Sequence, residues 1–142
     1  MDIAYELGIS QSQVSYGLER LERSGLIDED RKVMRQALIE FLLFGLKYVY
    51  PAQVGRPVRG VLTAHSVKPL AGMIVSDQKY VWPSSEGEDR GISVSPLFEN
   101  APKAAKKDQA LYELLALVDS IRIGRVREQV LARKEIQKRL EA

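Results

Sequence analysis

The segment that decides the fold of this 142-residue chain runs Ala4-Tyr-Glu-Leu-Gly8-Ile-Ser10-Gln-Ser-Gln-Val14-Ser-Tyr-Gly-Leu18-Glu-Arg-Leu21-Glu-Arg-Ser-Gly25-Leu-Ile27. Ala4 is small enough to lie where two helices cross, and Gly8 can adopt the left-handed turn that resists a β-carbon. Ser10 can cap the next helix through its hydroxyl. The apolar residues that follow recur at helical spacing and form one seam: Val14, Leu18 and Leu21. The spacing therefore predicts a helix-turn-helix.

The side of the second helix opposite this seam is polar. It carries amides, hydroxyls and a guanidinium, which can donate and accept hydrogen bonds at base edges in a major groove. We therefore predict double-stranded DNA as the partner of this face. The residues predicted to contact it are Gln11, Ser12, Gln13, Ser15, Tyr16 and Arg20.

The same segment resembles the winged helix-turn-helix domains of MarR-like bacterial transcription regulators. The positions that carry the resemblance are Glu6-Leu-Gly-Ile-Ser10, Val14-Ser15, Leu18, Leu21-Glu22 and Ser24-Gly25-Leu26-Ile27. The resemblance implies DNA contacts from the early, exposed positions of the second helix. It also implies a basic β-hairpin wing, with Arg31 and Lys32 at its tip, and a homodimer formed through terminal helices. It further implies a helix ahead of the motif, which this sequence lacks.

Charge is unevenly distributed along the chain. Residues 1–32 carry four basic and seven acidic side chains, whereas residues 103–142 carry ten basic and six acidic ones. Binding to phosphates depends on Lys and Arg close to the DNA backbone. The basic C-terminal segment is therefore either a solvated helix face or, in a dimer, a source of phosphate contacts that the motif itself lacks.

The remaining sequence predicts an α+β chain that is mostly helical. Residues 1–32 form the helix-turn-helix, and residues 33–48 form a connecting helix so apolar that we expect burial on nearly all sides. Residues 49–99, rich in Pro and Gly, predict a small irregular β-rich region that senses a small ligand or docks a protein partner. Its expected strands are Val58–Ala64, Met73–Ser76, Tyr80–Trp82 and Ile92–Ser95, the last two joined as a hairpin. Residues 100–142 predict C-terminal helices, the longer of them capped by Asp108.

The residues needed for most catalytic and metal sites are scarce. The chain has no cysteine and one histidine, His65, and sequence adjacency to Ser66 is no evidence for a catalytic pair. Glu86, Glu88 and Asp89 lack the spacing of a calcium loop. We therefore expect no enzymatic activity, no metal and no cofactor. No apolar run reaches the roughly 18 residues that cross a bilayer, so we expect no membrane association and a cytoplasmic location.

Two functions follow from this reading. The first is a sequence-specific, dimeric DNA-binding transcriptional regulator that reads DNA with the second helix of the motif. The alternative is a non-enzymatic protein-interaction module, an adaptor or antitoxin-like partner whose helix-turn-helix binds another polypeptide.

Overall fold

A computed structural model describes residues 2–141 and shows a mixed α+β fold that is mostly helical. The predicted fold class is confirmed. Within these residues the helices and strands are α1 (Ile3–Leu7), α2 (Gln11–Ser24), α3 (Arg35–Glu40), α4 (Leu46–Val49), β1 (Val54–Leu62), β2 (Tyr80–Pro83), β3 (Asp89–Val94), α5 (Ala101–Lys107), α6 (Gln109–Ile123) and α7 (Val126–Glu141).

The main core lies where α6 and α7 pack against the connecting helix formed by α3 and α4. Its buried residues include Ile39, Leu43, Leu46, Leu117, Ile121, Ala132 and Ile136. The connecting helix contributes buried residues to this core as predicted, but the expected burial on nearly all sides is wrong, because only one side of the helix is buried. The side chain of Phe44 is 61% exposed and that of Tyr48 is 74% exposed.

A single π-helical turn, Phe41–Gly45, joins α3 to α4. The amide of Leu46 donates to the carbonyl of Phe41, five residues earlier, instead of four. One additional residue in a helical turn rotates the side chains that follow it by about 100° around the helix axis. Before the turn the connecting helix packs on α7, and after it on α6.

The three strands close on one another around β1. β1 pairs antiparallel with β2 near Val61 and with β3 near Val58, and β2 pairs with β3 in parallel. Gly60 lies opposite both partner strands, and a β-carbon there would fall 2.0 Å from the carbonyl oxygen of Trp82. The strands can therefore cross this closely only because residue 60 is a glycine.

Two strand predictions are wrong. The segment Met73–Ser76 forms no strand, because it follows a 3-10 turn (Leu70–Gly72) and has no strand beside it; Val75 is 99% exposed. β2 and β3 form no hairpin, because both run antiparallel to β1 and are therefore parallel to each other.

A buried ion pair connects the sheet to α6. Asp119 accepts hydrogen bonds from the Thr63 hydroxyl (2.6 Å), the Trp82 indole (2.7 Å) and the Arg122 guanidinium (2.8 Å). The side chains of Asp119 and Arg122 are only 2% and 3% exposed. Burial raises the pKa of the Asp119 carboxyl, whereas the hydrogen bond from Thr63 and the charge of Arg122 oppose this shift.

Arg122 extends this network to the two ends of the sheet region. Its Nε donates to the carbonyl of Tyr50 (2.8 Å), and its Nη1 donates to the carbonyl of Ser95 (3.2 Å). The ion pair therefore fixes the chain where it enters and leaves the strands.

Asp119→Asn is expected to lower the free energy of unfolding by about 3 kcal/mol, because it leaves the guanidinium of Arg122 buried without a counter-charge. Urea denaturation at neutral pH measures the change. Asp77→Asn is the matched control, since Asp77 is exposed in the loop before β2. Equal stability of the two variants would contradict a structural role for the pair.

His65 is buried beside the sheet. It lies in a 3-10 turn (Ala64–Ser66) with its ring 4.7 Å from that of Tyr80. Its Nδ1 has no hydrogen-bond partner among residues 2–141, and the Ser66 hydroxyl accepts from the Tyr80 amide at 3.0 Å. Desolvation lowers the pKa of His65, and the charge of Glu128 opposes the shift.

This lowered pKa predicts a pH-dependent stability. The unfolded chain takes up a proton at His65 more readily than the folded one, so the stabilisation is complete above the unfolded pKa and decreases as the pH falls below about 6.5. Urea denaturation at several pH values between about 7.5 and 5.5 should show this decrease in the wild type and a smaller one in His65→Gln. An identical slope in the variant would contradict the prediction.

Candidate nucleic-acid interface

The turn between α1 and α2 has the geometry that its sequence predicts. Gly8 ends α1 in the left-handed conformation, with φ of 68°. The Ser10 hydroxyl accepts from the amide of Gln13 (3.1 Å), and the Gln13 side chain accepts from the amide of Ser10 (3.0 Å). This capping box and the left-handed glycine fix the angle between the helices locally. The predicted roles of Gly8 and Ser10 are confirmed.

The motif is attached to the rest of the protein through α5. Asn100, just before α5, donates to the carbonyl of Gly8. At the other end of α5, the ammonium group of Lys107 donates to the carbonyl of Tyr5 (3.2 Å) and lies 4.2 Å from the centre of its ring. A lysine from the basic C-terminal part of the sequence therefore lies beside the acidic motif.

The polar side of α2 is open to solvent. All six side chains predicted to contact DNA from this helix are exposed, and Tyr16 is 66% exposed. Two of them are already engaged, because Gln13 takes part in the capping box and Gln11 donates to the Asp2 carboxylate at 3.2 Å. The other four have no hydrogen-bond or ionic partner for their side chains within the described chain: Ser12, Ser15, Tyr16 and Arg20.

The segment after α2 is a tight turn rather than an extended wing. Ile27 and Val33 form a single antiparallel bridge. Inside the turn, the Asp28 carboxylate accepts from the amides of Asp30 and Lys32, both at 2.8 Å. Arg31 is left-handed, with φ of 63°, and both Arg31 and Lys32 are exposed. The two basic side chains therefore project from the tip of a very short hairpin.

Several acidic groups of the motif have structural roles. Asp2 caps α1 and accepts from Gln11, while Asp28 holds the turn together. Hydrogen bonds from neutral amides satisfy these two carboxylates, which keep their negative charge. The remaining acidic residues of the motif are Glu6, Glu19, Glu22, Glu29 and Asp30.

Three basic side chains of α7, those of Arg133, Lys138 and Arg139, form hydrogen bonds or ion pairs with other described residues. Arg133 donates to the carbonyl of Leu43 (3.0 Å), and Arg139 pairs with Glu113 (2.9 Å). Lys138 pairs with Glu135 (3.0 Å) and, by its hydrogen bond, lowers the pKa of that carboxyl. α7 packs on α6 and α3. Arg133 and Arg139 therefore join α7 to other helices, whereas the pair of Lys138 and Glu135 lies within α7.

The opposite side of α2 borders an apolar cleft instead of a packed core. No residue of α2 is buried, and Leu21 of the seam is 37% exposed. The cleft has a volume of about 670 Å³ and separates α2 from the connecting helix and the loop before α5. Residues from all three segments line it: Gly17, Arg20, Leu21, Ser24, Leu26, Phe41, Leu46, Val49, Tyr50, Leu97 and Phe98.

Comparison with known proteins gives no match: no family model, curated protein or solved structure matches this chain. The MarR-like resemblance therefore stays a prediction that rests on the motif residues.

Two further findings concern the described residues. None of their helices is both long and apolar enough to span a bilayer. No group of three or more histidine, aspartate or glutamate side chains in residues 2–141 is arranged to hold a metal ion.

Two glycines of the motif predict opposite effects of the same substitution. A β-carbon at Gly17 would meet nothing within 4 Å, so Gly17→Ala is expected to stabilise α2 by about 1 kcal/mol. Gly25 ends α2 with φ of 83°, so Gly25→Ala is expected to destabilise it by about 1 kcal/mol. Amide hydrogen exchange in α2 measures both, with the amides of α6 as an internal control. Shifts of the same sign would contradict the helix boundaries.

Proposed function

We propose that this protein is a sequence-specific DNA-binding transcriptional regulator that reads a duplex with α2. One observation carries the proposal: the polar face of a doubly capped α2 is fully open, on a helix-turn-helix whose following turn projects Arg31 and Lys32. The major groove of B-DNA is wide enough to admit an α-helix such as α2.

The residues divide by their chemistry. The hydroxyls of Ser12, Ser15 and Tyr16 both donate and accept hydrogen bonds, which suits base edges. The Tyr16 ring also supplies an apolar surface for a thymine methyl group. Arg31 and Lys32 are proposed to bind phosphates, which position the protein without reading sequence.

We further propose that the regulator acts as a homodimer in the cytoplasm. Residues 1–32 carry four basic and seven acidic side chains and therefore a net negative charge. One copy is therefore expected to bind DNA weakly, and two copies on adjacent half-sites add their binding energies. Exposed apolar side chains on α4 and α7 support self-association: Tyr48, Val126 and Val130, which are 74%, 78% and 49% exposed, together with Phe44.

The experiment begins with selection of bound duplexes from a random library, followed by fluorescence-anisotropy titrations of the selected and a scrambled duplex at about 50 and 200 mM salt. Tyr16→Ala is expected to reduce the preference for the selected duplex about tenfold, with an unchanged salt dependence. Lys32→Ala is expected to weaken binding to both duplexes alike and to reduce the salt slope by about one.

Matched variants control for each change. Tyr16→Phe keeps the ring and removes the hydroxyl, and Lys68→Ala removes an exposed lysine that lies outside the motif. The complex is expected to contain two copies per duplex by light scattering. If no sequence is enriched and no duplex binds at low salt, the proposal is wrong, and the protein-interaction module becomes the better account of the motif.

A further inference from the structure

We propose that the cleft between α2 and the connecting helix binds an amphipathic monoanion, a small molecule with an apolar body and one carboxylate. The cleft lies on the seam side of α2, and of the α2 residues predicted to contact DNA only Arg20 lines it. Binding there can be measured in the absence of DNA, so this proposal stands or falls independently of the proposed function.

The size and lining of the cleft suit a small molecule. Its volume of about 670 Å³ lies within the range of roughly 300–1,000 Å³ typical of small-molecule sites. Leucines, valine and aromatic rings from three separate segments form its walls, and several of these side chains remain partly in contact with water: Leu21 at 37%, Tyr50 at 48% and Val49 at 60% exposure. An apolar occupant would remove this surface from water, which is favourable in proportion to the area covered.

The charge of the lining determines the sign of the ligand. Arg20 is the one charged side chain that lines the cleft, and no aspartate or glutamate accompanies it. Its guanidinium has no ionic partner among the described residues. Two other polar groups of the lining are already engaged, because the Ser24 hydroxyl donates to the carbonyl of Leu21 and the Tyr50 carbonyl accepts from Arg122.

These observations favour a carboxylate over a neutral or cationic ligand. A guanidinium binds a carboxylate through two parallel hydrogen bonds, and each of them is stronger than a hydrogen bond between neutral groups. The apolar walls then hold the remainder of the molecule. A cation would meet Arg20 with no acidic group to compensate.

Calorimetric titration with decanoate and decanamide, below the concentration at which micelles form, tests the proposal. The two probes share an apolar chain and differ in charge. The wild type is expected to bind one decanoate, with an affinity about tenfold higher than for decanamide. Arg20→Gln is expected to weaken decanoate binding about tenfold and to leave decanamide binding unchanged.

Arg23→Gln is the matched control, because Arg23 lies on the same helix, is exposed and does not line the cleft. Gly17→Phe tests the location, since its ring would enter the open space and weaken the binding of both probes. A helical far-ultraviolet circular dichroism spectrum and a cooperative urea transition establish that each variant is folded.

Three outcomes would overturn the proposal. They are the absence of saturable decanoate binding, equal effects of Arg20→Gln and Arg23→Gln, and undiminished binding in folded Gly17→Phe. Light scattering at rising protein concentration tests a fourth outcome, a second copy of the chain in the cleft. A mass that increases with protein concentration and that added decanoate does not reverse would overturn the proposal.

Discussion

The buried pair of Asp119 and Arg122 is the interaction on which the arrangement of this fold depends. Removing two charges from water is unfavourable, and it is tolerated only when each charge is fully hydrogen-bonded. Here both carboxylate oxygens are satisfied, and the guanidinium also reaches two backbone carbonyls. The partners come from Thr63 just after β1, from β2 and α6, and from the loops at both ends of the sheet. A three-stranded sheet this small buries little by itself, so this network and the apolar cluster of Trp82, Ala101, Ala105 and Leu115 together position it.

The helix-turn-helix follows a different principle, because local interactions determine its internal geometry. Caps and left-handed glycines define α1 and α2, and no side chain of α2 is buried. Contacts from Asn100 and Lys107 near the ends of α5 then hold the motif against the body of the protein. Because so few buried contacts secure α2, we infer that it opens at a lower free energy than α6. Few contacts are also the reason why both its faces are accessible.

The difference between local and distant interactions explains what the sequence could predict. The roles of Gly8, Ser10 and Asp108 follow from hydrogen bonds that span three or four residues, and such bonds are visible in a short stretch of sequence. The parallel pairing of β2 and β3 depends on their shared partner β1, and a sequence pattern does not reveal a shared partner. The apolar run after Gly72 suggested a strand, but packing of Ile74 on the core accounts for it.

For the candidate interface too, the sequence predicts the features that depend on local spacing and not those that depend on distant segments. An apolar seam on one side of a helix implies an exposed polar side on the other, and the seam of α2 therefore predicts which of its residues are exposed. The cleft and the position of Lys107 could not be inferred, because the segments that form them are separated by up to 102 residues. The ion pair was also missed, since an aspartate and an arginine three positions apart in a helix usually indicate a solvated surface.

The π-helical turn at Phe41–Gly45 changes the side that the connecting helix presents to its neighbours. Before the turn the helix contacts α7, and after the turn it contacts α6. Ile39, Leu43 and Leu46 nevertheless lie in one core, and apolar side chains elsewhere on the helix, such as those of Phe44 and Tyr48, are exposed. The many apolar positions of this segment therefore leave an apolar surface open to solvent, instead of contact on every side.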